Sequence, residues 1–467
     1  MLLYFWFKFF GLIHGHYFLI DPINFPNSMD MIEIIKRETI KPSSPTPQHN
    51  RIHNLCWFDQ ISTPFFIPIL LFYRHGLFNT SINAVSETSS LLINSLSKTL
   101  SKYYPFAGRI RDRESILCND EGVDFLVAKV KQDLSSLLHN PKAEILHLLF
   151  PDNLQWRNTD VSFLLAVQVN YFDCGGLAIG VCMSHKLSDA ATLVSFINCW
   201  ASTARNAGRD VSFPVLNVAS LFPRGDLPLF PEAVHWKGNY ASRRFVFEAE
   251  KINSLKAVIS EKVENPTRVE AVTALLYKSA IKASRAVVSN AKTSSHLLVQ
   301  QVNMRTRMVP ELPETSVGSL SWFFPVLWGS IEMDDQSFFV GLVSRMREAF
   351  TKLCSSFADK FGGEDWFLEM LEILKEYKGL LSRSDQVVYR FSSWCRFPVY
   401  EADFGWGKPV WVTSVGTVDK NVIILMDHGK NGGGIEAFVT LEEDEMFVFE
   451  CDQELLAFAS CNPSVLY

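Results

Sequence analysis

Residues Leu177 to Trp200 read LAIGVCMSHKLSDAATLVSFINCW. The first seven residues, Leu177 to Met183, form an unbroken apolar run of the length of a buried strand. Leu193, Phe196, Ile197 and Trp200 follow at i, i+3, i+4, i+7, which is one face of an amphipathic helix. SHKLSDA lies between them, with Ser188 placed to cap the helix and Asp189 in its first turn, where a negative charge suits the helix dipole. His185 therefore stands at the end of a strand, just before a helix. Such a place holds a side chain firmly and leaves it reachable. H-x-x-x-D alone fits equally a histidine satisfied by backbone and an ordinary first-turn carboxylate, so its meaning depends on the rest of the chain.

The chain has 467 residues, too many for one ordinary core, so two lobes are expected. Apolar residues make up 48%, which places the main body among globular chains rather than disordered ones. With 44 basic and 50 acidic residues the formal charge is −6, and no basic block stands out. That balance argues against nucleic acid as a partner. Nine cysteines are scattered without a C-x-x-C or zinc-type spacing, so no metal site is expected and a reducing, cytoplasmic setting is the simplest account.

Met1 to Ile20 is apolar and aromatic, interrupted by Lys8, His14 and His16. It has the length of a membrane anchor but lacks the basic start and small-residue cleavage site of a secretory signal. Residues 1–28 are read as an extension outside the fold, and membrane attachment through them is the less favoured alternative. An N-terminal lobe is expected over 29–207, a proline-rich crossover over 208–240 and a C-terminal lobe over 241–467. Met31 to Lys41 alternates as a strand. Leu92, Leu96, Leu100 and Tyr103 mark a helix from about Ser86, and Tyr104 to Ile110 turns into a strand. Phe163 to Tyr171 alternates apolar and polar residues and reads as a half-buried strand, joined to the opening stretch by a hairpin at Cys174–Gly176.

In the second half, Ile252, Leu255 and Ile259 mark one helix and Val269, Val272, Leu276 and Ala280 another. His296 to Asn303 is a strand. Val422 to Met426 and Ile435 to Leu441 are strands around GKNGGG, which lacks the trailing G-K-[ST] of a phosphate loop and reads as a hairpin turn. Each half mixes strands with helices, an α/β chain with mixed sheets.

Ser392 to Pro409 reads SSWCRFPVYEADFGWGKP. Within it DFGWG, Asp403, Phe404, Gly405, Trp406 and Gly407, alternates two aromatics with two glycines behind a carboxylate. By itself it describes a tight turn with both rings packed. Protein kinases also carry D-F-G, but this chain has no glycine-rich loop, no H-R-D and no V-A-I-K.

HxxxD in mid-chain, DFGWGKP near the end, YPFAGR at Tyr104–Arg109 and NMRTR at Asn303–Arg307, in this order and spacing, resemble the BAHD acyl-CoA-dependent acyltransferases of plants, and within them the vinorine synthase-like group. The resemblance runs from about Met31 to the C-terminus. It implies a two-lobed, chloramphenicol-acetyltransferase-like fold with a channel between the lobes, reached by CoA from one face and the acceptor from the other. It makes His185 the catalytic histidine. It turns Asp189 away from the substrate to pair with Arg305, an orienting role, and treats DFGWG as structural and remote from the reacting atoms. Ser392 and Trp394 match channel positions near the thioester, Ser392 as an oxyanion donor where threonine is frequent. Gly318-Ser319 departs from the Gly-Asn usual in the family, which puts that asparagine's role in doubt here.

The chemistry that follows is transfer of an acyl group, acetyl by subgroup likeness, from acyl-CoA to a hydroxyl of an alkaloid or terpenoid alcohol. Acyl-CoA is a co-substrate rather than a resident cofactor, and the residues that hold it are not legible. His185 acts as general base in a ternary complex. A monomer is implied. Two other readings share these residues: a catalytically silent binding or scaffold relative, and an acyltransferase acting on an amine.

Overall fold

The computed structural model describes residues 31–62, 65–74, 81–151, 163–205, 213–222, 239–287, 295–329, 335–358, 366–383, 385–415, 419–428 and 433–465. The extension 1–28 lies outside them, as do most of the crossover and the tip of the GKNGGG turn. Two large mixed sheets organise the chain. The first has the strand order Ile32–Ile40, Val123–Val130, Leu165–Phe172, Leu177–Ser184, Phe66–Tyr73 and Trp411–Thr413. The second runs Ser321–Trp328, Ser295–Asn303, Gln386–Ser393, Val422–His428, Gly434–Glu442, Tyr240–Phe247 and Ser460–Cys461. A small sheet of Ile52–Asn54, Ser115–Leu117 and Arg109–Ile110 stands beside them. Among the described residues no helix is long and apolar enough to cross a membrane.

The opening stretch forms the centre of the first sheet. Leu177–Ser184 pairs antiparallel with Leu165–Phe172 on one side and with Phe66–Tyr73 on the other, which explains its uniformly apolar composition. One face is covered by the helices Ile82–Leu100 and Ala190–Ala204. Trp200, Phe196, Leu92 and Leu96 meet there, and the Trp200 indole donates to Ser95 Oγ (3.0 Å). The first helix starts four residues before the expected Ser86 because Ser81 caps it, accepting from Ala84 N.

Leu165–Phe172 departs from the half-buried strand expected of its alternation: it is buried on both faces. Leu134, Leu137, Leu138, Leu146, Leu149 and Phe150, from the short helices and the turn after them, cover the face its polar residues point to. Gln168 and Asn170 are tolerated there because they are hydrogen-bonded. Gln168 Nε2 donates to Asn170 Oδ1 (2.8 Å), and Asn170 Nδ2 donates to the Leu149 carbonyl (2.9 Å).

The GKNGGG flanks form an antiparallel hairpin, with His428 opposite Gly434. The expected crossover is not featureless where it is described. Val218–Leu221 is a helical turn, Val215 bridges to Ser316, and Phe222 packs edge-on against Phe58 (5.6 Å).

Trp411–Thr413 is a strand of the first sheet contributed from deep in the second half of the chain. The DFGWG turn just before it lodges in the first sheet's core. Asp403 Oδ1 accepts the backbone N–H groups of Gly405 and Gly407, both at 2.8 Å, and Arg205 pairs with its other oxygen. Gly405 and Gly407 have φ of +113° and +101°, a backbone that a Cβ would strain. Phe404 is fully buried, edge-on to Trp200 (4.9 Å) and stacked on Trp406 (5.5 Å). Trp406 is only half-buried, so the sequence-level view of both rings as packed holds fully for Phe404 alone. Phe404→Ala should cost about 3–5 kcal/mol, the usual range for a buried aromatic deletion, and Trp406→Ala less. Equal shifts in urea midpoint would contradict this ranking.

Trp411 carries the connection further. Its indole N–H donates to both oxygens of the buried Glu436 (3.2 and 3.3 Å), which also receives Arg244 (3.2 Å) and His428 Nδ1 (2.8 Å). One carboxylate of the second sheet thus holds a strand end of the first.

Candidate active site

His185 follows the last residue of the strand Leu177–Ser184. Its backbone N–H donates to the Phe65 carbonyl (2.7 Å), and its ring meets the Phe65 ring edge-on at 4.9 Å. Phe65 is 40% exposed and His185 is itself partly accessible, so the imidazole is held but not sealed. Nδ1 lies 2.7 Å from Ser319 Oγ. Among the described residues Nε2 has no hydrogen-bond partner.

Ser188 does not cap the following helix. Asp189 does: its Oδ1 accepts the Thr192 N–H (2.9 Å), while the Ser188 hydroxyl donates back to the Ser184 carbonyl (2.7 Å). The cap wins because Asp189 has extended backbone (φ −114°, ψ −176°), which aims its carboxylate at the open N–H groups. The same carboxylate receives a bidentate pair from Arg305, Nη1 to Oδ2 at 2.7 Å and Nη2 to Oδ1 at 3.0 Å. It makes no hydrogen bond to His185.

Arg305 is 0% exposed and every guanidinium nitrogen is engaged. Nε and Nη2 donate to the Ser316 carbonyl (3.1 and 2.8 Å), Nη1 to Asn303 Oδ1 (3.1 Å) and Nη2 to Thr192 Oγ1 (2.9 Å). Thr192 Oγ1 in turn donates to the Gly318 carbonyl (2.9 Å) and accepts the Gly318 N–H (3.2 Å). Gly318 has φ +151°, and a Cβ there would lie 3.2 Å from both Asp59 Oδ1 and Leu320. The Asp189–Arg305 pair therefore clamps the segment that ends at Ser319, which hydrogen-bonds to His185 Nδ1.

Ser319 is the residue that sequence reasoning noticed without assigning it a role. Asp59 and Ser62 it missed altogether. Asp59 is buried, with Oδ1 accepting the Ser319 N–H (2.7 Å) and Oδ2 the Cys56 N–H (3.0 Å). Burial pushes its carboxyl up from the ordinary range, and these donors pull the other way. The Ser62 hydroxyl reaches Ser319 Oγ (2.7 Å) and the Phe58 carbonyl (2.9 Å). Lys186 Nζ holds the Gln60 carbonyl (2.9 Å) and the Ser62 carbonyl (3.4 Å). Burial brings that ammonium down to about 8. The only signal for these residues in sequence was the Gly318-Ser319 pair standing where Gly-Asn is usual.

Burial also lowers the His185 pKa from 6.5, opposed by the negative field of Asp189. The ring is then neutral through the physiological range, as a base requires. A kcat/KM profile is expected to be flat above neutrality and to fall on the acid side with a midpoint below 6.5. A midpoint above 6.5 would contradict the burial seen here.

Ser392 and Trp394 sit at the end of Gln386–Ser393, across which Trp394 N donates to the Leu425 carbonyl (2.7 Å). The Trp394 indole donates to Ser392 Oγ (3.2 Å), so Ser392 accepts there and keeps its own proton to give. Neither residue hydrogen-bonds to His185. Phe404 lies in the core around Trp200, and none of Asp403 to Gly407 hydrogen-bonds to His185.

Two mixed sheets with a strand-end histidine, backed by an aspartate that faces an arginine instead, define a two-lobed acyltransferase of the chloramphenicol acetyltransferase type. A family profile described as Transferase family matches residues 30–456, and the chain belongs to that family, the BAHD acyl-CoA-dependent acyltransferases, in its vinorine synthase-like group. It is 41% identical to akuammiline synthase 1 of Alstonia scholaris, over 92% of this chain and 98% of that protein. It is 37% identical to a limonoid 7-O-acetyltransferase of Citrus sinensis, over 93% and 99%. The crystal structure of vinorine synthase superposes with a TM-score of 0.79 at 33% identity, covering 92% of this chain and 98% of that one.

Proposed function

We propose that the protein transfers an acetyl group from acetyl-CoA to a hydroxyl of an alkaloid or terpenoid alcohol, with His185 as the base. The observation that carries this is the His185 ring itself. It is partly accessible at a rigid strand end, tied at Nδ1, without a partner at Nε2 among the described residues, and held neutral by burial. The 7-O-acetyltransferase among its relatives supports a hydroxyl acceptor and an acetyl donor. In a ternary complex, Nε2 takes the hydroxyl proton as the acceptor oxygen attacks the thioester carbonyl. The Ser392 hydroxyl donates to the oxyanion of the tetrahedral intermediate. The intermediate collapses with cleavage of the carbon–sulfur bond, and the imidazolium returns its proton to the CoA thiolate. Nine free cysteines support a reducing compartment, and we place a monomer in the cytosol.

The test is release of free thiol from acetyl-CoA by the purified full chain, with a panel of alkaloid and terpenoid alcohols and matched amines. Thiol release that depends on an alcohol, with an ester product by mass spectrometry, is expected. An amide product would reassign the acceptor, and no release with any acceptor would overturn the enzymatic reading.

A further inference from the structure

Resting on the reading of Ser392 as oxyanion donor, we infer that Asp427, backed by Arg268, is a positioning residue that fixes the turn Trp394–Phe397 and through it the Ser392 hydroxyl. The strand Gln386–Ser393 runs parallel to Val422–His428, and their pairing ends with Ser393 opposite Leu425. The chain then turns sharply. Phe397 N–H donates to the Trp394 carbonyl (3.3 Å), and Arg396 has φ +71°. Arg396 is the third residue of this four-residue turn, where positive φ selects glycine or asparagine. An arginine there is held against its own backbone preference.

What holds it is its backbone, since the Arg396 side chain is exposed. Its N–H donates to Asp427 Oδ2 at 2.6 Å, the short contact expected of a carboxylate acceptor. Asp427 Oδ1 receives Arg268 Nη2 (3.0 Å), and Arg268 Nη1 holds the Gly434 carbonyl on the neighbouring strand (3.2 Å). The carboxylate is thus pinned from behind. The strand Val422–His428 grips the departing chain twice, by the Leu425 carbonyl on the Trp394 N–H (2.7 Å) and by Asp427 on the Arg396 N–H.

The buried Trp394 ring sits between these grips with its indole N–H on Ser392 Oγ (3.2 Å). That contact occupies one lone pair of Ser392 and so restricts where its proton can point. Without the second grip Arg396 relaxes toward negative φ, the turn opens and the indole leaves Ser392. No hydrogen bond joins Asp427 to Ser392 among the described residues, so its influence passes through the turn.

The test combines steady-state kinetics with 19F NMR of the full chain labelled with 5-fluorotryptophan, the Trp394 signal assigned by its loss in Trp394→Phe. Asp427→Ala is expected to move that signal. It should lower kcat roughly tenfold, part of the 10²–10³-fold that loss of a whole oxyanion donor costs. KM for acetyl-CoA should stay within about twofold, because the oxyanion contact is made in the transition state. Adding Arg396→Gly should return both the signal and kcat to near wild type, since glycine adopts positive φ without the grip. In a Ser392→Ala background, Asp427→Ala should cost nothing further in kcat. Should Asp427→Ala not fold, Asp427→Asn, which keeps an oxygen for Arg396 but loses the charge for Arg268, should shift both readouts in the same direction by less.

The proposal is overturned by an unmoved Trp394 signal, by wild-type kcat in the Asp427 variants, by failure of the glycine rescue, or by full additivity with Ser392→Ala. Wild-type kcat in Ser392→Ala itself would end the oxyanion reading, and the proposal with it. An impaired Ser392→Ala beside an undiminished Asp427→Ala would end the proposal alone.

Discussion

His185→Ala is expected to lower kcat by about 10²–10⁴-fold, the range for loss of a positioned general base. An alcohol is a weak nucleophile near neutrality, and among the described residues no other side chain at the strand end has a basic atom without a hydrogen-bond partner. Lys186 is adjacent in sequence, but its amine is committed to the Gln60 and Ser62 carbonyls. The fold should survive, because the ring is only partly buried and its backbone hydrogen bond to Phe65 remains. The urea midpoint should therefore stay near wild type while thiol release collapses. A kcat within a few-fold of wild type, with the variant folded, would remove His185 from the role of base.

The second large effect falls on the buried ion pair. Arg305→Ala should destabilise the fold by about 3–5 kcal/mol, because it strands the Asp189 carboxylate away from water. It also leaves the Ser316 and Gly318 carbonyls without their guanidinium donors. Asp189→Ala strands the opposite charge and removes the helix cap as well, the latter worth about 1 kcal/mol. Removing both should cost far less than the sum of the two, since neither charge is then left alone. Equilibrium unfolding of the two single variants and the double variant measures this coupling, and additive losses would refute it. Folded fractions should also show reduced kcat, because the clamp on residues 316–318 is what presents Ser319 to the imidazole.

How far the sequence could be read follows from the range of each interaction. The strand-to-helix passage at His185 was plain because its signals lie within 24 consecutive residues. Arg305 could be named as partner of Asp189, 116 positions away, only because the motif order resembled a known family. Spacing within the chain carried no such information. Ser62 and Ser319 are 257 positions apart and neither sits in a periodic pattern, so their contact exists only in the fold. The misread strand at Leu165–Phe172 has a related cause. Alternation shows that two faces differ in polarity, but not that helices will later cover the polar one. The cap at Asp189 rather than Ser188 turned on a single pair of backbone angles, below what residue type can decide.

The strand Trp411–Thr413 completes the first sheet with chain from the second half, and the turn before it plugs the first sheet's core. Cutting the gene at the crossover would therefore yield an N-terminal piece with an unfinished edge and an unplugged interior, and a C-terminal piece with no host for either part. Such fragments are expected to be soluble and active only when co-expressed. The same stitching opposes any wide clamshell opening of the two lobes.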